Sequence, residues 1–236
     1  MNADWKVVWI TGASTGIGAE IAKQLADAGV KVAASARHMA AATPHPNITP
    51  FVVDVTDAKA LRECVTQIEN QLGAIDLAIF GAGAYEAFKP ETLDAEKFTR
   101  INAVNYVGAT NALCAVLPNF ISRKSGHVAF VASVAGYQGL PKAAYYGPTK
   151  AALINLAESL WMDLRGTGVA ISVINPGFVD TPMTKGNEFP MPFLMQAARA
   201  AELSIAGLKA KRFEIAYPAR FVFILKLLQW LPTLTK

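Results

Sequence analysis

The 236-residue sequence has few charged residues and few cysteines. Asp, Glu, Lys and Arg make up 17% of the chain against 53% hydrophobic residues, so there is ample material for a buried core. Its two cysteines, Cys64 and Cys114, form no CxxC motif and no disulfide framework, which is typical of a reducing compartment. The three histidines, His38, His45 and His127, lack metal-ligand spacing, and we predict no metal site.

The sequence also lacks a long apolar run and a basic leader. No apolar stretch reaches the length of a membrane-spanning helix, and the N-terminus leads directly into a predicted strand. The formal charge of +4 is modest, and the one small basic cluster, Lys209, Lys211 and Arg212, is interpreted as a solvated turn. We therefore expect no nucleic-acid partner and a cytoplasmic protein, with peripheral contact to a membrane left open.

Seven short apolar stretches alternate with stretches of helical character. The predicted strands are 5–10, 31–36, 48–55, 75–82, 126–132, 169–175 and 212–217. The predicted helices are 19–28, 57–72, 93–120, 151–164, 194–208 and about 219–231. Because poor helix formers surround Asn105, we expect a kink there. The alternation predicts an α/β protein, with a doubly wound, seven-stranded parallel sheet and helices on both faces, in a single domain over 1–236.

A glycine-rich segment, Thr11-Gly-Ala-Ser-Thr-Gly-Ile-Gly18, joins the first predicted strand to the first helix. Glycines let a backbone approach a pyrophosphate closely, and a helix N-terminus offers free N–H groups at the positive end of its dipole. The spacing is G-x-x-x-G-x-G rather than the commoner G-x-G-x-x-G. With a strand before it and a helix after it, the segment predicts a dinucleotide site.

The end of the second predicted strand indicates which dinucleotide binds. In NAD-binding proteins this position often carries an acidic residue that holds the adenosine ribose. Here Ala36 stands there, followed by Arg37, whose guanidinium can pair with a phosphate. The sequence therefore favours NADP(H), with NAD(H) still open, and a solvated surface arginine is the alternative.

Ser133, Tyr146 and Lys150 form a candidate catalytic group. Ser133 follows a predicted strand, and Tyr146 and Lys150 are four residues apart at the start of a helix, so they share one face. A free phenol has a pKa of about 10, which a nearby cation lowers. Such a group suits acid–base chemistry at an alcohol or ketone carbon. Taken alone, a Tyr and a Lys at this spacing also occur on ordinary helices.

From residue 7 to about residue 217, the sequence resembles the classical short-chain dehydrogenase/reductase family. The segment 11–18 matches the glycine motif of that family. Tyr146-x-x-x-Lys150 matches its catalytic motif, and Ser133 precedes Tyr146 by thirteen residues, as in many members. Further matches are the helix asparagine Asn105, the adenine-contacting pair Asp54-Val55, and the nicotinamide-holding segment with Pro176, Gly177 and Thr181.

The resemblance implies a three-layer Rossmann-type fold and a role for each catalytic residue. Tyr146 would be the general acid in reduction and the base in oxidation. Lys150 would lower the pKa of Tyr146 and bind the nicotinamide ribose. Ser133 would orient the substrate carbonyl, and Asn105 would hold a water in a proton relay to Lys150.

The expected ligand contacts complete this set. Cofactor contacts are expected from Gly12, Ser14, Thr15, Gly16, Ile17, Gly18, Arg37, Asp54, Val55, Gly81, Ala82, Gly83, Tyr146, Lys150, Pro176, Gly177, Val179 and Thr181. Substrate contacts are expected from Ser133, Tyr146, Tyr137, Phe178 and Met183, with Gln138 and Phe193 as further candidates. Ordinary loop packing is the alternative for the aromatic and Met positions. Tyr145, which lacks a lysine four residues later, is interpreted as structural or as a pocket wall.

One departure from the family pattern follows the fourth predicted strand. The family usually has Asn-Asn-Ala-Gly there, whereas this chain has Phe80-Gly81-Ala82-Gly83. Both asparagines are missing, so the hydrogen bonds of their side chains must come from elsewhere. No catalytic group is lost.

The segment 219–231 is apolar over most of its helical surface, so the helix must be covered. Its own subunit beside the substrate pocket, a partner subunit, or a membrane surface could cover it.

We predict an NADP(H)-dependent oxidoreductase, an alcohol dehydrogenase or carbonyl reductase, that acts on an apolar small molecule as a homodimer or homotetramer. The alternatives are a catalytically silent dinucleotide-binding scaffold or sensor, and a membrane-associated reductase of a lipid-like carbonyl.

Overall fold

The computed structural model describes residues 5–39, 44–187 and 189–229. The strands of this part of the chain are β1 (Val7–Thr11), β2 (Lys31–Ala36), β3 (Ile48–Val52), β4 (Leu77–Phe80), β5 (Gly126–Val131), β6 (Val169–Pro176), β7 (Val179–Asp180), β8 (Met195–Gln196) and β9 (Glu214–Tyr217). The helices are α1 (Gly16–Asp27), α2 (Ala58–Leu72), α3 (Ala95–Asn102), α4 (Gly108–Ser122), α5 (Gly147–Asp163), α6 (Ala197–Lys209) and α7 (Ala219–Gln229).

Seven parallel strands form one sheet in the order β3-β2-β1-β4-β5-β6-β9, which confirms the predicted fold class. Alternate residues of β1 face opposite layers. Trp9 packs in the core cluster that includes residues of α2, α4 and α5, and Ile10 packs in the cluster that includes residues of α1 and α6. A strand covered on both faces is apolar along its whole length, as β1 is. The short pair of β7 and β8 was not predicted.

The strand order places a crevice beside β1. This strand pairs with β2 on one side and with β4 on the other, so the chain direction across the sheet reverses at β1. Open α/β sheets bind ligands at such a switch point, outside the carboxyl ends of the strands. The glycine-rich turn after β1 and the Gly81-Ala82-Gly83 turn after β4 meet there.

The helix boundaries follow from capping residues. Asp57 caps α2 by accepting hydrogen bonds from the main-chain N–H groups of Lys59 and Ala60, each at 2.9 Å, and Gly73 ends the helix with a φ of 106°. Helix α1 begins at Gly16, three residues earlier than predicted. The last glycines of the motif therefore lie in the first turn of the helix.

Helices α3 and α4 are joined by a π-helical turn over Ala103–Val107. The predicted irregularity near Asn105 is thus in the expected place, although it is a π turn within a continuing helical path. Because a π turn has a wider hydrogen-bonding pattern, it sets the following helix at a new rotation, and such turns are frequent at functional sites. Here the turn directs the buried side chain of Asn105 toward the ends of β4 and α5.

One face of α7 is covered by its own subunit. Val222 and Leu225 are buried and pack with Val134, and Lys226 forms an ion pair with Glu214 of β9. This is the first of the three covers considered from the sequence, and it places α7 beside the segment that follows β5.

The opposite face of α7 remains exposed. Phe223 and Leu227 are 69% and 58% exposed, and Ile224 is also exposed. The last two residues of the predicted helix, 230 and 231, lie outside the described residues. Among the described helices, none has the length and apolar character needed to cross a membrane.

Candidate active site

A cavity of about 700 Å³ lies at the carboxyl ends of the strands. It is lined by every residue that the sequence predicted to contact the cofactor, and by Ser133, Phe178 and Met183 from the predicted substrate set. Asn105 and Tyr137 do not line it. Residues from the ends of six strands thus meet around one cavity of a size that can hold a dinucleotide and a small molecule.

The glycine turn packs directly against the end of β4. Gly12 has a φ of 72°, and a Cβ at this position would lie 2.6 Å from main-chain atoms of Gly81 and Ala82. Thr15, at the N-terminus of α1, makes no side-chain capping hydrogen bond, and the first turn carries no acidic residue. Residues 14–18, at this uncapped end of the helix, form part of the cavity wall. Such a helix N-terminus suits an anionic pyrophosphate.

Arg37 and Asp54 line the end of the cavity next to β2 and β3. Arg37 is exposed and follows the last residue of β2. Asp54 accepts hydrogen bonds from the main-chain N–H and the hydroxyl of Thr56, at 2.9 and 2.8 Å. These bonds, together with the nearby charge of Arg37, hold the pKa of Asp54 below its usual value. Because the carboxylate is already bonded to Thr56, the guanidinium of Arg37 can still meet an added phosphate.

Ser133 and Tyr146 meet although thirteen residues separate them. Ser133 starts a short 3₁₀ turn after β5, and its Oγ accepts a hydrogen bond from the main-chain N–H of Ala135 at 3.1 Å. Tyr146 stands at the N-terminus of α5. The Ser133 hydroxyl donates a hydrogen bond to the carbonyl of Pro176 at 3.4 Å, and it lines the cavity together with the Tyr146 phenol, whose pKa it lowers.

Burial dominates the acidity of Tyr146. It raises the pKa of the phenol to about 12, the hydrogen bond to Ser133 offsets part of this rise, and the neighbouring phenol of Tyr85 adds to it. The prediction that Lys150 lowers this pKa stays a prediction, because burial sets the net direction of the shift. The physical reason is that desolvation penalises the phenolate more than the surrounding groups stabilise it. The Tyr146 phenol is therefore protonated at neutral pH.

Lys150 lies beneath the Tyr146 ring. Its side chain is 4% exposed, its Nζ donates a hydrogen bond to the carbonyl of Val131 at 2.8 Å, and Nζ is 5.3 Å from the centroid of the Tyr146 ring. Burial lowers the pKa of Lys150 to about 8. The group is thus largely a cation at pH 7, but it holds its proton weakly.

This burial predicts a pH-dependent stability. Below pH 8 both the folded and the unfolded chain hold the Lys150 proton, and the cost of burying the charge is fully present. Between pH 8 and 10.5 the unfolded chain binds more protons, so the free energy of unfolding rises with pH. Relative to Lys150→Met, the wild type should gain roughly 3 kcal/mol across this window.

Urea denaturation at several pH values from 7 to 10.5 measures this gain. Exposed Lys124 provides a matched control, because Lys124→Met removes a charge that is not buried. A difference between the wild type and Lys150→Met that does not change with pH would contradict the assignment.

Asn105 connects three segments around the site. Its Nδ2 donates hydrogen bonds to the carbonyl of Ala84 and the hydroxyl of Thr149, each at 3.0 Å, and its Oδ1 accepts one from the N–H of Ala84 at 2.7 Å. The Thr149 hydroxyl in turn donates to the carbonyl of Tyr146 at 2.7 Å. Since both hydrogens of Nδ2 bond to protein, this side chain positions the turn after β4 and the start of α5.

The missing asparagine pair is replaced by other contacts. Phe80 is buried against Trp9 and Phe130, with ring centroids 5.9 and 5.5 Å apart. The N–H groups of Gly81 and Ala82 donate to the carbonyl and the hydroxyl of Thr11, at 3.1 and 3.4 Å. Together with the Asn105 contacts, these bonds hold the turn in place without the two asparagines.

Tyr137 lies apart from the cavity lining. The sequence predicted a substrate contact there, which stays a prediction, and in the structure its phenol donates a hydrogen bond to Glu214 at 2.6 Å. The reason is that the turn after Ser133 directs Tyr137 toward β9 and α7. Gln138 and Phe193 also lie outside the lining. Tyr145 is structural, because its buried phenol bonds to Thr92 and Asp94.

Several cavity residues were not identified from the sequence. Tyr85 lies edge-on to Tyr146, with ring centroids 5.4 Å apart, and it directly follows the small residues after β4, which could have indicated it. Lys142, Phe189, Phe221 and Leu225 also line the cavity. No local pattern marks these four residues, since they depend on how distant segments fold over the site.

Comparisons with known proteins agree with this geometry. Residues 6–189 match the family model described as short chain dehydrogenase. The chain is 36% identical over 236 residues to an uncharacterized oxidoreductase of Myxococcus xanthus, with 97% of this chain and 93% of that protein covered. It is 33% identical over 208 residues to an uncharacterized oxidoreductase of Staphylococcus epidermidis, with 86% and 90% covered.

A solved structure is similar over almost the whole chain. It is a short chain dehydrogenase from Burkholderia cenocepacia in complex with NADP, 25% identical, with a TM-score of 0.86 and with 98% of this chain and 95% of that chain covered. The present chain belongs to the short-chain dehydrogenase family and is an oxidoreductase of that family with an NAD(P)-binding fold.

Proposed function

We propose that this protein reduces an apolar ketone or aldehyde with NADPH and that Tyr146 is the general acid. The observation that carries the proposal is the cluster of Ser133 and Tyr146, with Lys150 beneath the Tyr146 ring, in the same cavity as the glycine turn. An acid, a carbonyl-orienting hydroxyl and a dinucleotide cradle are the parts that this chemistry requires.

The protonation states favour the reductive direction. When bound, a reduced nicotinamide supplies a hydride to the carbonyl carbon. Tyr146, with its raised pKa, holds the proton that the carbonyl oxygen needs, and Ser133 holds that oxygen beside the phenol. The cation of Lys150 stabilises the phenolate left after proton transfer, and its own weakly held proton can restore the phenol. The water relay through Asn105 remains part of this proposal.

The preference for NADPH rests on Arg37. A phosphate on the adenosine ribose would add a charge-assisted, bidentate hydrogen bond to an exposed guanidinium at the cavity edge. The similar protein from Burkholderia cenocepacia was solved with NADP, which supports the same choice. Removing such a contact and reversing its charge should weaken NADPH binding by about 100-fold, since hydrogen bonds to charged groups contribute about 1.5–3 kcal/mol.

Calorimetric titration with NADPH and with NADH tests this assignment on the wild type and on Arg37→Asp. We expect the wild type to bind NADPH more tightly, and Arg37→Asp to lose that preference while keeping its NADH affinity. Arg62→Asp, an equivalent change on the exposed side of α2, is the control and should change neither affinity. Equal weakening of both cofactors by Arg37→Asp would contradict the assignment.

A catalytically silent dinucleotide sensor is the second candidate, because the chain lacks the usual asparagine pair at Phe80 and Gly81. Main-chain N–H groups of the turn donate hydrogen bonds to Thr11 and Asn105, and these bonds maintain the turn without the asparagine pair. Cofactor binding without turnover of any carbonyl would favour this candidate.

A further inference from the structure

The substrate side of the cavity contains a row of aromatic rings. Phe189 and Phe178 have ring centroids 6.1 Å apart, and Phe178 and Phe221 are stacked at 5.8 Å. All three rings line the cavity, and they come from three separate segments, of which the last is α7. A row of this kind favours a flat or extended apolar group, because rings pack well against other rings and apolar chains.

Lys142 stands at one end of this row. Its Nζ lies 5.6 Å from the centroid of the Phe189 ring, so the cation is folded over the lining. The charged side chains among the described lining residues are those of Arg37, Asp54, Lys142 and Lys150. Arg37 and Asp54 lie at the end near β2 and β3, and Lys150 lies below Tyr146. Among the described lining residues, Lys142 is therefore the charged side chain that lies beside the row of phenylalanines.

Within the described part of the chain, Lys142 has no carboxylate partner. It is nevertheless held in place by its backbone. Its φ of 61° is unusual for a residue with a side chain, and its carbonyl accepts a hydrogen bond from the N–H of Phe88 at 2.9 Å. The next carbonyl, of Ala143, accepts one from the N–H of Tyr146 at 3.0 Å. The turn that carries the lysine is thus fixed relative to the catalytic phenol.

We propose that the substrate is an amphipathic carbonyl compound, with an aromatic or extended apolar body lying along the row of phenylalanines and a carboxylate bound by Lys142. The proposal rests on the proposed function and specifies its substrate class. The cavity offers a cation at one end, carried on a fixed turn, apolar rings along its length and the Tyr146 phenol. A carboxylated aryl or alkyl ketone complements all three at once, whereas a neutral ketone leaves the cation without a partner.

The test compares 4-acetylbenzoate with its methyl ester, in which a methyl group replaces the negative charge opposite the ketone. Calorimetry measures the binding of each to the complex of Tyr146→Phe with NADPH, so the affinities do not depend on turnover. We expect the acid to bind at least about tenfold more tightly than the ester, because only the acid can form a charge-assisted hydrogen bond with Lys142. The preference should shrink at high salt.

Charge variants at position 142 locate the effect. In the Tyr146→Phe background, Lys142→Gln should remove the preference for the acid, and Lys142→Glu should reverse it. Lys124→Gln is the matched control, because Lys124 is also an exposed lysine with a positive φ, of 52°, and it lies outside the cavity lining. The control should retain the full preference, which separates Lys142 from the net positive charge of the protein.

The outcomes distinguish this inference from the proposed function. Equal binding of acid and ester, binding of neither, or a preference that survives Lys142→Gln would overturn the inference. Reduction of the ester and the acid by the wild type at equal kcat/KM would also overturn it, while leaving the proposed function intact. Acid-selective, Lys142-dependent binding without any NADPH oxidation by the wild type would support the substrate class and contradict the proposed reduction.

Discussion

Tyr146→Phe is expected to lower kcat for carbonyl reduction by about 10³-fold, within the range that general acid catalysis contributes. The substitution removes the phenol hydroxyl beside Ser133, while the phenyl ring keeps its edge-on contact with Tyr85. Steady-state NADPH oxidation measures kcat, and calorimetry measures cofactor affinity. We expect the affinity to change by less than about threefold, because the loss concerns the transition state.

Tyr145→Phe is the matched control for this variant. Its phenol is buried, bonds to Thr92 and Asp94 and lies outside the cavity lining, so its loss should reduce the free energy of unfolding by about 1 kcal/mol and leave kcat near the wild-type value. If Tyr146→Phe kept more than about a tenth of the wild-type kcat, the role of Tyr146 as general acid would be wrong.

Gly12→Ala is expected to abolish measurable NADPH binding and to reduce the free energy of unfolding by at least about 3 kcal/mol. The φ of 72° disfavours any residue with a side chain, and the added Cβ would lie 2.6 Å from main-chain atoms of Gly81 and Ala82. Relief of this contact must push apart the turns that follow β1 and β4, and both turns line the cavity. Urea denaturation and calorimetric titration measure the two effects.

Gly29→Ala separates the two causes. Gly29 also has a positive φ, of 86°, but a Cβ there would meet nothing within 4 Å. Its substitution should cost only about 1 kcal/mol of backbone strain and leave NADPH affinity unchanged. If Gly12→Ala were no more damaging than Gly29→Ala, the close approach of the two turns would not matter for the site.

Most of the fold could be predicted because local signals and global topology agree. The apolar residues of β1 predict a strand covered on both faces, and Asp57 and Gly73 mark the ends of α2. The glycine turn, Ser133 and Tyr146 each stand at a strand or helix end. The topology of a parallel sheet then brings these ends to one edge.

The acidity of Tyr146 could not be predicted in the same way. The four-residue spacing of Tyr146 and Lys150 places a cation near the phenol, but the sequence does not give the depth at which both groups are buried. The extent of burial decides the direction of each pKa shift, because desolvation raises the pKa of a phenol and lowers that of an amine. Both pKa shifts follow from burial.

Contacts between distant segments could not be predicted from the sequence either. Thr11 supplies the bonds that the missing asparagines would make, and nothing in the pattern around residue 11 indicates this. Phe221 belongs to an apolar helix that three different surfaces could have covered. The structure shows that Phe221 packs against Phe178, so one face of this helix forms part of the cavity wall.

Transfer of deuterium from NADPH to product tests the central claim most directly. The wild type is incubated with NADPH deuterated at the transferring carbon and with a panel of neutral and carboxylated ketones, and the alcohols are examined by mass spectrometry. The account predicts an alcohol that carries a single deuterium on the former carbonyl carbon, and no such product with Tyr146→Phe over the same time. Bound NADPH that gives no deuterated alcohol with any member of the panel would contradict the account and leave a cofactor-binding protein without this chemistry.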